Sequence, residues 1–217
     1  MEPFRFPPPA PSDLGDREVP QDGHRLDGMR VALMVSGGIA AFKAPMIARA
    51  LRRQGATVTA FCSEEALRYV TQDALEWSTA QAAVVRLSAH AEHLSDASPF
   101  DAYLVAPATA ATIGRMAHGI AEGVIGATMA SAIGRMERGQ ACVLVAPTMH
   151  GSMHSSILVG NLEKLHRIGV RVIPPRDAYG KHNLPEVSEL VDEVCRAIEA
   201  LRAPRANRNP DPGVRHP

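Results

Sequence analysis

Four short stretches carry the residues with which this chain could do chemistry. Val35-Ser36-Gly37-Gly38-Ile39-Ala40 follows an apolar run and opens a segment of helical period. At such a turn free N–H groups and the helix dipole favour an anion such as phosphate, and glycine lets the backbone approach it closely. The turn is neither G-x-G-x-x-G nor a P-loop with its Lys-Ser/Thr pair, so a plain strand-to-helix turn also accounts for it. Ser63, with Glu64 and Glu65 behind it, ends a second apolar run as either a helix N-cap or a phosphate ligand. Ala106-Pro107-Ala108-Thr109-Ala110-Ala111-Thr112 follows a third run, and its small and polar residues suit contact with a flat cofactor ring. Pro147-Thr148-Met149-His150-Gly151-Ser152-Met153-His154 follows a fourth. Open α/β sheets bind ligands at the carboxyl ends of their strands, so the four together say more than any one alone.

The cysteines add little chemistry. Cys62, Cys142 and Cys195 are widely spaced, with no C-x-x-C pair to hold a metal or form a redox couple. Cys142 opens an apolar run, where a thiol packs as a small hydrophobe, and no cation beside Cys62 argues for a thiolate. Reduced thiols fit a cytoplasmic protein, and no metal site is expected.

Alternating elements must position these stretches. Val31–Val35, Thr57–Cys62, Ala102–Ala106, Cys142–Ala146 and Val170–Ile173 read as short strands. Lys43–Arg53, with Ile47, Ala50 and Leu51 on one face, reads as a helix, as do the Ala/Gly-rich stretch 110–133 and the segment 185–201. Strands alternating with helical segments predict a single α/β domain of three layers, Rossmann-like or flavodoxin-like, around a parallel sheet. The expected bounds are 29–202. The proline-rich stretch 1–28 and the Pro/Arg/Asn-rich stretch 203–217 read as disordered tails.

Composition bounds the partners. The 217 residues are 46% hydrophobic and 21% charged, enough to build one sizeable core. Lys plus Arg and Asp plus Glu each number 23, so no global field draws the chain to nucleic acid or an anionic membrane. No apolar run reaches the roughly 18 residues of a membrane span.

The sequence resembles the homo-oligomeric flavin-containing cysteine decarboxylases, which include phosphopantothenoylcysteine decarboxylase and the enzymes acting on C-terminal cysteines of lantibiotic-type peptides. The likeness covers roughly residues 30 to 200. Ser-Gly-Gly-Ile-Ala-Ala-Phe-Lys-Ala-Pro at 36–45 resembles the family's flavin-phosphate turn, and Ala-Pro-Ala-Thr-Ala at 106–110 its flavin-contacting loop. Pro147 to His154 resembles the family's Pro-x-Met-Asn-x-x-Met-Trp stretch, with His150 in place of Asn and His154 in place of Trp. Ala111 stands where the family usually has a second Asn.

The resemblance implies a set of roles. Ser36, Gly37, Gly38, Ile39, Ala40, Ser63, Ala106, Pro107, Ala108, Thr109 and Met149 would contact FMN, with FAD also possible. His93, eight residues ahead of Asp101, matches the family's active-site histidine; an imidazole can accept and return a proton near neutral pH. A surface pair with His90 is the plain alternative. His150 would donate to the substrate carboxylate, and Met153, Tyr179, Lys181 and Asn183 would meet the substrate. His118 reads as a packing or subunit-contact residue. Lys43 and Arg68 are conceivable partners for a phosphorylated substrate.

The implied reaction takes a hydride from the cysteine β-carbon to the flavin, after which the carboxylate leaves as carbon dioxide. Family members that go on to reduce the enethiol carry an Ala-Cys-Gly flap; residues 175–185 here contain no cysteine and run closer to the Lys-Asn-rich flap of the peptide decarboxylases. The reading is therefore oxidative decarboxylation of a peptidyl or small-molecule cysteine to an enethiol. Phosphopantothenoylcysteine decarboxylation, a flavoprotein reductase or electron carrier, and a non-catalytic assembly subunit are the alternatives. The family implies trimers or larger assemblies such as a dodecamer.

Overall fold

The computed structural model describes residues 4–94 and 98–203. Arg30–Val35 forms β1, followed by a 3-10 turn at Ile39–Lys43 and helix α1 at Ala44–Arg53, which Pro45 opens in its first turn. β2 (Thr57–Cys62), a 3-10 turn (Glu64–Arg68) and α2 (Gln72–Thr79) complete the first half. Then come β3 (Ala102–Ala108), α3 (Ala110–Ala117), α4 (Gly123–Glu137), β4 (Cys142–Pro147) and β5 (Met149–His150). A 3-10 turn at Gly151–Met153 leads to α5 (Ser156–Arg167), β6 (Arg171–Val172), β7 (Arg176–Ala178), β8 (Lys181–Asn183) and α6 (Val187–Arg202).

The main sheet runs β2-β1-β3-β4-β6 and every pair in it is parallel. Its central strands β1, β3 and β4 are buried on both faces, as parallel sheets covered by crossover helices must be. On β1, Val31, Leu33 and Val35 pack with Ile47 and Leu51 of α1 and Leu190, Val194 and Ile198 of α6. Ala32 and Met34 point the other way, toward Ile113 of α3, Met129 of α4 and Leu158 and Leu165 of α5. The expected three-layer α/β domain is thus the observed one. A small antiparallel sheet, β5-β8-β7, stands apart from it.

Two details depart from expectation. The stretch 110–133 is two helices, because Gly119 adopts φ 67° and lets the Gly119 and Ile120 amides bond back to Met116 and Arg115, closing α3. The end of the supposed N-terminal tail also packs on the domain. Leu26 is fully buried and its amide bonds Gln54 O, while Arg25 forms ion pairs with Asp192 and Glu199 of α6. A single apolar residue among charged ones hid this anchor. Residues 204–217 of the other expected tail lie outside the described residues.

Candidate functional site

Strand order reverses between β1 and β3: the chain moves outward from β1 to β2, then crosses back to place β3 on the other side. Such a switch point opens a crevice at the strands' carboxyl ends. Ser36, just past β1, is buried there; its hydroxyl donates to Pro107 O (2.6 Å) and accepts from the Thr109 amide (3.1 Å). One side chain therefore stitches the first loop to the third. Gly37 is required by packing, since a Cβ there would lie 2.4 Å from Glu65 Cβ, and one at Gly38 would lie 3.1 Å from Thr109 Cγ2. The glycines let three loops close on one another.

Above this junction lies a cleft of about 710 Å³, inside the range of small-molecule sites. Gly37, Ser63 and Thr109, from the ends of β1, β2 and β3, all line it. Ser63 caps the 3-10 turn after β2 through the Ala66 amide, and Thr109 caps α3 through the Thr112 amide. The amides of Ala110 and Ala111 at the start of α3 have no protein acceptor among the described residues. Ser36, Ala40, Ala106 and Ala108 lie buried beneath, Met149 belongs to the core, and Ile39 points outward.

Two cations in the cleft escaped the sequence reading. Arg115 and Arg86 line it, whereas Lys43 and Arg68 do not. Arg115 sits at helical spacing from Thr109 and Thr112, a pattern that would have put it on the same face. Glu64, Glu65 and Glu122 share the rim, so the cleft is mixed in charge. Hydroxyls, an arginine and small residues in one lining fit a phosphate joined to a flat ring.

His93 stands in the loop that follows the cleft-lining residues Val85, Arg86 and Leu87. Its Nδ1 is shielded from solvent with no hydrogen-bond partner among the described residues. Buried polar atoms of this kind call for an explanation, and a ligand is one. Upstream, the Ser88 hydroxyl and amide grip Glu92 and hold its carboxyl down to about 2, which fixes the turn bearing His93. His90 is exposed in the same loop. His118 is also exposed and donates from Nδ1 to Gly114 O, an intrahelical bond.

His150 and the expected substrate residues form a second group, outside the lining of the cleft. β5 pairs with β8, setting Met149 opposite His182 and His150 opposite Lys181. The polar loop 175–185 is therefore a hairpin, turning at Tyr179 and Gly180 with φ 55° and 67°. Asn183 donates from its amide to Ala178 O and closes the turn, while Tyr179 is 94% exposed and Met153 half exposed. His150 Nδ1 accepts from the Ser152 amide (3.1 Å), so the neutral ring carries its proton on Nε2 and offers it outward. Burial raises the Cys62 and Cys142 thiols to about 12, in keeping with packing roles.

Comparison with known proteins decides the lineage. A flavoprotein family model matches residues 21–199. The chain belongs to the flavoprotein family. Among curated proteins it is 33% identical over 179 residues to the coenzyme A biosynthesis bifunctional protein CoaBC of Thermococcus kodakarensis, covering 80% of this chain and 43% of that protein. It thus spans less than half the length of this relative. Among solved structures, the FMN-dependent cysteine decarboxylase SpaF superposes with a TM-score of 0.70 at 22% identity, over 82% of this chain and 99% of that one. A dodecameric FMN-dependent UbiX-like decarboxylase from Escherichia coli O157:H7 superposes at 0.61, 21% identical, over 83% and 98%. Both share the flavoprotein fold described above.

Proposed function

We propose that this flavoprotein binds FMN in the cleft at the β1/β3 switch point and catalyses oxidative decarboxylation of a cysteine carboxylate to an enethiol. The observation that carries this is the convergence of Gly37, Ser63 and Thr109 on one cleft in a chain of this family. Flavin, when bound, supplies the hydride acceptor. The turn after β1 with Gly37, together with Ser63 and with Arg115 as the cation, would hold its phosphate, and the small residues 106–110 would face the ring. His93 is the base, its shielded Nδ1 open to a substrate proton. His150 donates from Nε2 to the departing carboxylate in place of the family's Asn. The hairpin bearing Tyr179, Lys181 and Asn183 receives the rest of the substrate beside Met153.

The substrate is a peptidyl or related acyl cysteine. All three cysteines lie in β2, β4 and α6, so the hairpin offers no thiol to return electrons to the product. Phosphopantothenoylcysteine is the second reading, favoured by the coenzyme A biosynthetic relative. We further propose a homo-oligomer, a trimer or a multiple such as a dodecamer, acting in the cytoplasm. Three free thiols support that compartment. No helix among the described residues is long and apolar enough to cross a membrane.

Absorption and mass analysis of the purified protein test the flavin, with about one FMN per chain expected. Loaded protein incubated with cysteine-terminated peptides should remove carbon dioxide and two hydrogens. Flavin bound without turnover would favour an electron carrier, and failure to bind any flavin would favour a non-catalytic subunit.

A further inference from the structure

Outside the cleft, two imidazoles meet nitrogen to nitrogen in a place that the reaction above does not use. His182 Nε2, on β8, lies 3.0 Å from Nδ1 of His154, which follows the 3-10 turn at Gly151–Met153. The ring centroids are 5.2 Å apart and the planes are tilted by 42°. Backbone contacts hold the two segments together. The Gly151 amide donates to Gly180 O (2.9 Å), and a Cβ on Gly151 would lie 2.3 Å from that oxygen, so glycine is what allows the approach. Antiparallel pairing of β7 and β8 sets Asp177 opposite His182. Lys181, the adjacent cation, alternates to the other face of β8.

Asp177 Oδ1 lies 2.7 Å from His182 Nδ1. A carboxylate only accepts, so that nitrogen carries the hydrogen, and the lone pair of the neutral ring sits on Nε2, facing His154. A carboxylate on the far nitrogen is how metal-binding histidines are oriented, and it makes the ring a stronger ligand. His154 is exposed, so its hydrogen can pass through water from Nδ1 to Nε2, freeing Nδ1 as a second ligand with no change in net charge. Zn–N bonds of about 2.0–2.1 Å at a tetrahedral angle set two ligand nitrogens about 3.3 Å apart. The observed separation is a few tenths of an ångström less, so little rearrangement is needed. No set of three His, Cys, Asp or Glu side chains is placed to hold a metal among the described residues, so two imidazoles are the protein's share and water completes the shell.

We infer that His154 and His182 form a zinc site, oriented by Asp177, that ties the β7–β8 hairpin to the turn after β5. His154 and His182 are the ligands, and Asp177 is a positioning residue that fixes the His182 tautomer. The site is separate from the flavin cleft and does not depend on the proposed reaction. Its open positions make it an exchangeable site rather than a closed structural one.

Calorimetric titration of zinc chloride into the full chain, first freed of metal by a chelator, reads the site. One zinc per chain should bind, and His154→Ala and His182→Ala should each abolish it. Asp177→Asn should weaken it about tenfold, the scale of an outer-shell partner. His166→Ala, at an exposed histidine of α5, should change nothing. Copper(II) binds imidazole more tightly than zinc and reports its ligands, so electron paramagnetic resonance should show two nitrogens, falling to one in His154→Ala. Because His154 is exposed, that variant keeps the result independent of any unfolding of the hairpin. Bound zinc should slow amide hydrogen exchange across residues 178–183 in the native protein and leave it unchanged in His154→Ala. Failure to bind zinc, binding that survives both histidine changes, or a native copper spectrum with fewer than two nitrogens would overturn the site. Unaltered exchange on zinc binding would overturn the tie to the hairpin.

Discussion

Ser36 is the residue on which the cleft's framework depends most. Its hydroxyl makes two buried hydrogen bonds between separate loops. Ser36→Ala leaves the Pro107 carbonyl and the Thr109 amide unpaired and should lower stability by about 1–3 kcal/mol, measured by denaturant unfolding. Arg115→Gln should instead leave stability nearly unchanged and weaken FMN binding by about tenfold or more, as loss of a charge-assisted bond to phosphate does. A flavin titration followed by fluorescence quenching reads this. The thiols of Cys62 and Cys142 are raised above their ordinary value of 9.0 because burial disfavours the thiolate. Both should resist iodoacetamide at pH 8.5 in the folded protein and react once it is unfolded. The pH linkage has a definite sign: raised thiols bind protons more tightly when folded. Their contribution to stability is therefore whole below about 9 and is lost as pH climbs toward about 12.

Among the elements, the five strands of the parallel sheet were the most legible in sequence, whereas the small sheet of β5, β7 and β8 was not read as strands. The short, mostly apolar and β-branched runs of those five admit few other readings, and Thr57–Cys62 matches residue for residue. The break between α3 and α4 was not legible, because it turns on whether Gly119 takes a left-handed conformation, and its neighbours carry helix-compatible residues. Gly37, Ser63 and Thr109 could be named from their places after strands, and they do line one cleft. The bond between His154 and His182 could not be foreseen, since it joins residues 28 apart through a two-residue strand pair. Tyr179 offers a test at this scale. A bulky residue at positive φ in the first place of a tight hairpin turn is costly, and Asn suits it better. Tyr179→Asn should raise stability by about 0.5–1 kcal/mol in thermal unfolding. If the ring meets substrate as proposed, the same change should raise KM for cysteine-terminated peptides.

The whole molecule exposes large apolar side chains outside its two cores. Ile39, Phe42 and Met46 lie around the start of α1, and Ile157 starts α5. Monomers seldom leave such residues clustered in water, and copies of the chain covering one another would remove them. Sedimentation at micromolar concentration should show a trimer or a multiple of one. Ile157→Glu should shift the distribution toward smaller species without unfolding the subunit, as far-ultraviolet circular dichroism would verify.

The stitch from Ser36 to the third loop bears on how fast a ligand is captured. Both loops are already locked by bonds within the protein, so little freedom remains to be surrendered when a cofactor arrives. Flavin uptake in a stopped-flow experiment should follow a single exponential whose rate rises in proportion to flavin concentration. In Ser36→Ala the loops must first be caught in register, and the rate should level off at a ceiling set by their own motion.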